Sequence, residues 1–263
     1  MNATPLIFER DGAIARLTFN RPDAANTIDL AVSKALVEAA IECDTNPDIR
    51  CVVLTGAGKI FCAGGDIGMM ASAGDRVGSA VGELASILHM AVSRFARMNK
   101  PMLTLVNGPA AGAGYSLALG ADVVLAARSA TFTAAYGALG VSPDGGLTWL
   151  LPRLVGLRRA QEIIISNRRV DAEEAERIGM ITRAVDDDAL VEEGAKVAAR
   201  LAQSAMGAIG TSRALLLAAF DNGIETQLEL EARGIAANIS GAEGREGIAA
   251  FLGKRKPDFT NAK

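Results

Sequence analysis

Residues 103–127 read LTLVNGPAAGAGYSLALGADVVLAA, and they restrict the fold more than any other stretch. Their length and apolar character suit a bilayer span, which takes about 20 residues. Gly108-x-x-x-Gly112 also has the spacing of a helix-packing motif of membranes. Yet Asn107, Pro109 and Asp122 interrupt the run, and its texture changes from Leu/Val to Gly/Ala and back. A strand, a glycine turn, a buried helix and a second strand account for that change, whereas a membrane helix does not. The stretch therefore predicts a soluble α/β protein without a membrane partner. Half of the 263 residues are hydrophobic, which supplies a large core without help from metals or disulfides.

The remaining pattern fits this reading. Residues 6–9 and 13–19 flank Asp11-Gly12, a hairpin signal. Residues 30–43 carry helical spacing, with a cap at Thr27 or Asp29 and a stop before Pro47. Strands are expected at 51–54, 102–106, 122–126, 131–133 and 180–185, and helices over 77–98 and 112–120. Pro143-Asp144-Gly145 is a turn opening a further helix, and Asp171-x-x-Glu174 has the form of a capping box. From residue 190 onward the pattern is helical. Strand–strand–helix repeats followed by a helical tail describe an α/β core with a C-terminal helical extension.

Composition narrows the partners and the compartment. Lys and Arg number 27 against 30 Asp and Glu, a net charge of −3, so nucleic acid is not an expected partner. Three cysteines, Cys43, Cys51 and Cys62, without a CxxC spacing read as reduced thiols of a cytoplasmic protein. Residues 1–12 carry neither a basic nor an apolar leader segment, so no secretory signal is expected.

The residue inventory removes most chemistries. The single histidine, His89, reads as a surface or boundary residue. Gly114-Tyr115-Ser116-Leu117-Ala118 is close to a nucleophile elbow, but no histidine follows it, so a serine hydrolase of that type fails. A zinc cluster, a P-loop and a full dinucleotide fingerprint are also missing. Carboxylates, tyrosine and main-chain dipoles remain. Two glycine-rich segments suit the last of these: Phe61-Cys62-Ala63-Gly64-Gly65-Asp66 after a strand, and Gly112-Ala113-Gly114 at a helix start, where free N–H groups favour an anion. Two such donors converging on one oxygen form an oxyanion hole.

In this order and spacing the segments resemble the crotonase (enoyl-CoA hydratase/isomerase) family. The resemblance runs through Asn20-Arg21-Pro22 with Asn26, the Phe61–Ile67 loop, and Asn107-Gly108 with Gly112-Ala113-Gly114. It continues through Leu151-Pro152-Arg153-Leu154-Val155-Gly156 and the stretch from Gly247 to Arg255. It implies a crotonase-like spiral of ββα units over residues 1–200 and a trimerisation region over 201–263, giving a homotrimer or dimer of trimers. It also implies an acyl-CoA substrate, with coenzyme A as part of that substrate and no separate cofactor or metal. The N–H groups of Cys62 and Ala113 would hold the thioester oxygen. Ala24, Ala25, Ala63, Gly64, Gly65, Asp66, Ile67 and Gly112 would line the coenzyme A path, and Lys254 would reach the phosphates of a neighbouring subunit's ligand.

One departure bears on the reaction. Family hydratases activate water with two glutamates, and the matching positions hold Ser116 and Tyr136, which do not ionise usefully near neutral pH and are expected instead to line the pocket and orient Asp144 or a substrate hydroxyl. Asp144 occupies the place where some family isomerases carry a catalytic aspartate, and the pattern is closest to the phenylacetate-pathway enoyl and ring-epoxide isomerases. The expected reaction is therefore double-bond isomerisation of an enoyl-CoA through an enolate, with Asp144 as acid and base. Hydration, dehalogenation with an aspartate nucleophile, and a non-catalytic acyl-CoA-binding homologue remain the alternatives.

Overall fold

The computed structural model describes residues 4–262; residues 1–3 and 263, at the two ends of the expected core and tail, lie outside the described residues. The hairpin forms as expected. β1 (Leu6–Asp11) and β2 (Ile14–Phe19) pair antiparallel, with Asp11 opposite Ile14. Parallel strands then extend the sheet through β3 (Cys51–Gly56), β4 (Met102–Val106), β6 (Val123–Ala127) and β9 (Arg183–Val185). A second sheet holds β5 (Ala110–Ala111), β7 (Thr131–Thr133) and β8 (Arg169–Asp171).

The chain alternates between the sheets. β4 in the first leads to β5 in the second and then to α4 (Ala113–Leu119). β6 leads likewise to β7, followed by α5 (Leu147–Val155) and α6 (Leu157–Ser166). β8 then passes through α7 (Ala172–Arg177) to β9. Successive turns that lay a strand in each sheet and return by a helix make a spiral of ββα units, an α/β fold.

Residues 103–127 are central to it. They supply β4, β5, α4 and β6, and all of α4 is buried. The polar interruption Asp122 faces a strand end: its carboxylate accepts the Met102 N–H at 2.7 Å and pairs with Arg213 at 2.8 Å. Among the described residues no helix is long and apolar enough to cross a membrane.

α1 (Leu30–Thr45) starts at Asp29, whose carboxylate accepts the Val32 N–H at 2.9 Å and so satisfies one orphan donor of the first turn. Its buried face, with Val32, Leu36, Ala39 and Cys43, packs on α3 (Val77–Arg97), which buries Leu84, Leu88, Ala91 and Phe95. All three cysteines are buried and free.

Some elements differ from expectation. α2 (Ile67–Ser72), β5 and β8 are additional, and each is too short to express a hydrophobic period. In 180–185 only Arg183–Val185 is strand, because the N–H groups of Met180 and Ile181 return to the Ala175 carbonyl. Asp171 caps α7 through the Glu174 N–H at 2.7 Å, but the Glu174 carboxylate turns to Arg168, so the capping box is one-sided.

Among the described residues four helices follow β9: α8 (Leu190–Ala202), α9 (Met206–Ala218), α10 (Ile224–Ser240) and α11 (Ala242–Leu252). α10 buries no residue, and Leu216, Ile235 and Phe251 are 70%, 70% and 83% exposed.

Candidate active site

The site is built on the loop after β3, which is held from below by buried polar groups. Asn26, 1% exposed, donates to the carbonyls of Ala57 and Ile60 and accepts the Arg21 N–H at 2.9 Å. Ala24 and Ala25 belong to the short turn that carries this asparagine, and the Ala25 carbonyl accepts the Ala63 N–H at 3.0 Å. Asp66 closes the loop: Oδ1 accepts the Met69 N–H at 3.0 Å, and Oδ2 accepts from Arg21 and Thr27 at 3.1 and 3.2 Å. The Met69 N–H foremost, then Arg21 and Thr27, hold its carboxyl below the usual range against the cost of burial.

This arrangement corrects the expected donor. The Cys62 N–H donates to the Pro109 carbonyl at 3.3 Å, and the side chain is fully buried away from the cavity described below. Burial also pushes its thiol up to about 12, which disfavours a thiolate nucleophile. Gly65 offers the free group. It forms a parallel bridge with Ile28, in which Ile28 donates to the Gly64 carbonyl and Asp66 donates to the Ile28 carbonyl. The Gly65 N–H therefore points to the opposite side, and among the described residues it has no acceptor.

The second free N–H is that of Ala113, the first residue of α4, at the unsatisfied end of a helix. Gly112 precedes it at φ 52°, ψ −130°, a conformation that favours glycine. Gly114 follows, and a Cβ there would overlap the Cys62 carbonyl oxygen. The two loops are thus pressed together at a glycine, one side carrying Gly65 and the other Ala113.

A cavity of about 650 Å³ opens over both. Ala63, Gly65 and Ile67 line it from the first loop, and Gly112 and Ala113 from the second. Val77, Val81, Leu84, Ala85 and Leu88 of α3 form an apolar wall. Tyr136 and Asp144 face them, and Asp144 is the one ionisable carboxylate among the described lining residues.

Asp144 does not cap α5; that position belongs to Gly146, without a side-chain bond. Instead its Oδ1 accepts the Tyr136 hydroxyl at 2.8 Å. Burial, and then the charge of Asp144, raise the Tyr136 pKa, so its hydroxyl stays protonated as a donor. Contrary to expectation, Ser116, 3% exposed, is absent from the lining of this cavity, because its hydroxyl is turned to donate to the Asp144 backbone carbonyl at 2.9 Å. His89 also arrives here, half-exposed, accepting the Gly145 N–H at 3.0 Å on Nε2 and standing 3.8 Å from Asp144 Oδ2.

Gly64 and Asp66 support the loop without lining the cavity, and Lys254 follows α11 at an exposed position, outside the site of its own chain. The sequence reading placed Gly65 on the substrate path but not as a free N–H donor, and it left His89 outside the site. For His89 a signal existed: residues 77, 81, 85 and 89 follow one helical ridge, and the first three line the cavity.

A spiral of ββα units with two unpaired main-chain N–H groups beside one largely apolar cavity agrees with the resemblance read from the sequence. The chain belongs to the enoyl-CoA hydratase/isomerase family, whose model matches residues 9–262. It is 40% identical to a 1,2-epoxyphenylacetyl-CoA isomerase of Escherichia coli, covering 94% of this chain and 95% of that protein. It is 38% identical to a Rhodobacter capsulatus protein named "Probable enoyl-CoA hydratase", covering 96% of each. Among solved structures, an enoyl-CoA hydratase from Polaromonas sp. JS666 superposes with a TM-score of 0.92 at 32% identity, covering 96% of this chain and 98% of that one.

Proposed function

We propose that this protein isomerises the double bond of an enoyl-CoA thioester, or carries out a related dienolate rearrangement, with Asp144 as acid and base. The observation that carries this reading is the lone carboxylate among the described lining residues, bonded to Tyr136 and sharing one cavity with Gly65 and Ala113. The thioester carbonyl accepts from those two donors. Asp144 takes a proton from one carbon of the acyl chain and returns it to another, while the donors hold the negative charge on the enolate oxygen. Glutamate-pair hydration asks for a second carboxylate, and Ser116 and Tyr136 stand where the family hydratases carry theirs.

In the same reading, coenzyme A is part of the substrate and no further cofactor takes part. Its pantetheine passes Ala63, Gly64 and Ile67 above the turn of Ala24 and Ala25. Lys254 meets the phosphates of a neighbouring subunit's ligand in a cytoplasmic homotrimer or dimer of trimers. The test is turnover of a 3-enoyl-CoA by wild type and Asp144→Asn. The expected result is a loss of about 10³-fold or more in kcat with thioester binding retained, in the range of general acid–base catalysis. Full activity in Asp144→Asn, or hydration of crotonyl-CoA at an ordinary enzymatic rate by wild type, would overturn the proposal.

A further inference from the structure

The imidazole of His89 is the polar group beside Asp144 that the reaction above leaves without a task. Its Nε2 accepts the Gly145 N–H at 3.0 Å. A ring nitrogen that accepts from an amide carries no proton, so this hydrogen bond requires the neutral Nδ1–H tautomer. The approach to Asp144 Oδ2, 3.8 Å, is too long for a hydrogen bond. With the Nε2 lone pair already engaged, the ring in this geometry neither takes a substrate proton nor gives one to the carboxylate.

What it grips is backbone. Ser116 of α4 donates to the Asp144 C=O, and His89 of α3 accepts from the Gly145 N–H. These are the two polar atoms of one planar peptide, pointing in opposite directions, so the plane is held from both sides. Tyr136 holds Oδ1 as a third point, and Oδ2 accepts no hydrogen bond among the described residues. The clamp divides the carboxylate into an oriented oxygen and a free one.

We propose that His89 is a positioning residue for the base: the neutral imidazole locks the 144–145 peptide so that Asp144 presents Oδ2 to the acyl chain. This rests on the reading of Asp144 as the base. A protonated ring has no lone pair on Nε2 and releases the peptide, so the clamp exists only in the neutral form. Misplacement of a reacting group by about 1 Å is enough to cost roughly 10²-fold in rate.

The chain has one histidine, so its ring nitrogens give unambiguous 15N signals in the intact protein. At mildly alkaline pH the expected state is Nδ1–H with Nε2 unprotonated; an Nε2–H tautomer would overturn the proposal. In His89→Leu the Gly145 amide should exchange with solvent about ten-fold faster or more, and kcat on a 3-enoyl-CoA should fall roughly 10- to 100-fold with KM within about two-fold. His89→Gln, whose Oε1 can accept the same N–H, should recover most of kcat. Wild-type kcat together with wild-type Gly145 exchange in His89→Leu would sink the idea. If wild type turned over no 3-enoyl-CoA while tautomer and amide exchange came out as expected, the proposed reaction would fail and the clamp on the 144–145 peptide alone would stand.

Discussion

Ala113 offers a clean way to test one proposed oxyanion donor. It is the first residue of α4, where proline is well tolerated because the N–H has no intrahelical partner. Ala113→Pro should therefore keep the helix while deleting the N–H. Steady-state kinetics should show kcat reduced about 10²–10³-fold, and an unchanged kcat would remove Ala113 from the mechanism. The sequence identified both donor loops but chose Cys62 in the first. Which N–H of a glycine-rich loop is free depends on where distant acceptors lie. Here the Pro109 carbonyl takes the Cys62 N–H, and the Ile28 bridge turns the Gly65 N–H outward. The local pattern around residue 62 contains neither fact. Asp144 and Tyr136 were legible because the family resemblance marks their positions. Their mutual hydrogen bond was not, since it spans a turn of irregular backbone.

At the scale of elements, α2 depends on Asp66. That carboxylate caps the helix and pairs with Arg21, tying the Asn20-Arg21-Pro22 turn to the donor loop. Asp66→Ala should destabilise the fold by about 1–2 kcal/mol, the sum of a helix cap and a partly exposed ion pair. Because the folded-state pKa of Asp66 is lowered, its contribution is whole above the unfolded value of about 4. It is lost as pH falls through the lower folded value. Urea unfolding at neutral and acidic pH checks this: the gap between wild type and Asp66→Ala should narrow in acid, and a constant gap would contradict it. The long elements were readable from sequence because burial imposes a period on them, as in α1 and in residues 103–127. β5 and β8, of two and three residues, exist through pairing with β7 and leave no period to read.

Over the whole molecule, apolar surface is distributed unevenly. The α/β spiral buries its own core, whereas α9, α10 and α11 leave large apolar side chains in contact with solvent. An apolar groove of about 870 Å³ runs among them, lined by Leu215, Leu228, Ile235 and Phe251. Self-association through this tail is expected. Ile235→Asp with Phe251→Asp should shift sedimentation toward the monomer, and wild-type Tm should rise with protein concentration, as mass action requires. A monomeric wild type at micromolar concentration would refute this. The helical tail was evident in the sequence, but its bare face was not, because α10 alternates Leu and Ile with Glu and has no single wide polar side.

The contact between Gly114 and the Cys62 carbonyl also tells an engineer where this protein can be changed. There is no room for one extra methyl between the donor loops, so diversity introduced there would abolish the site before it altered selectivity. The opposite wall is different: Val77, Val81 and Ala85 project from a long helix with solvent on its far side. Side chains there can be enlarged or trimmed one at a time. A library seeking altered acyl preference belongs on that ridge, with the glycine seam left untouched.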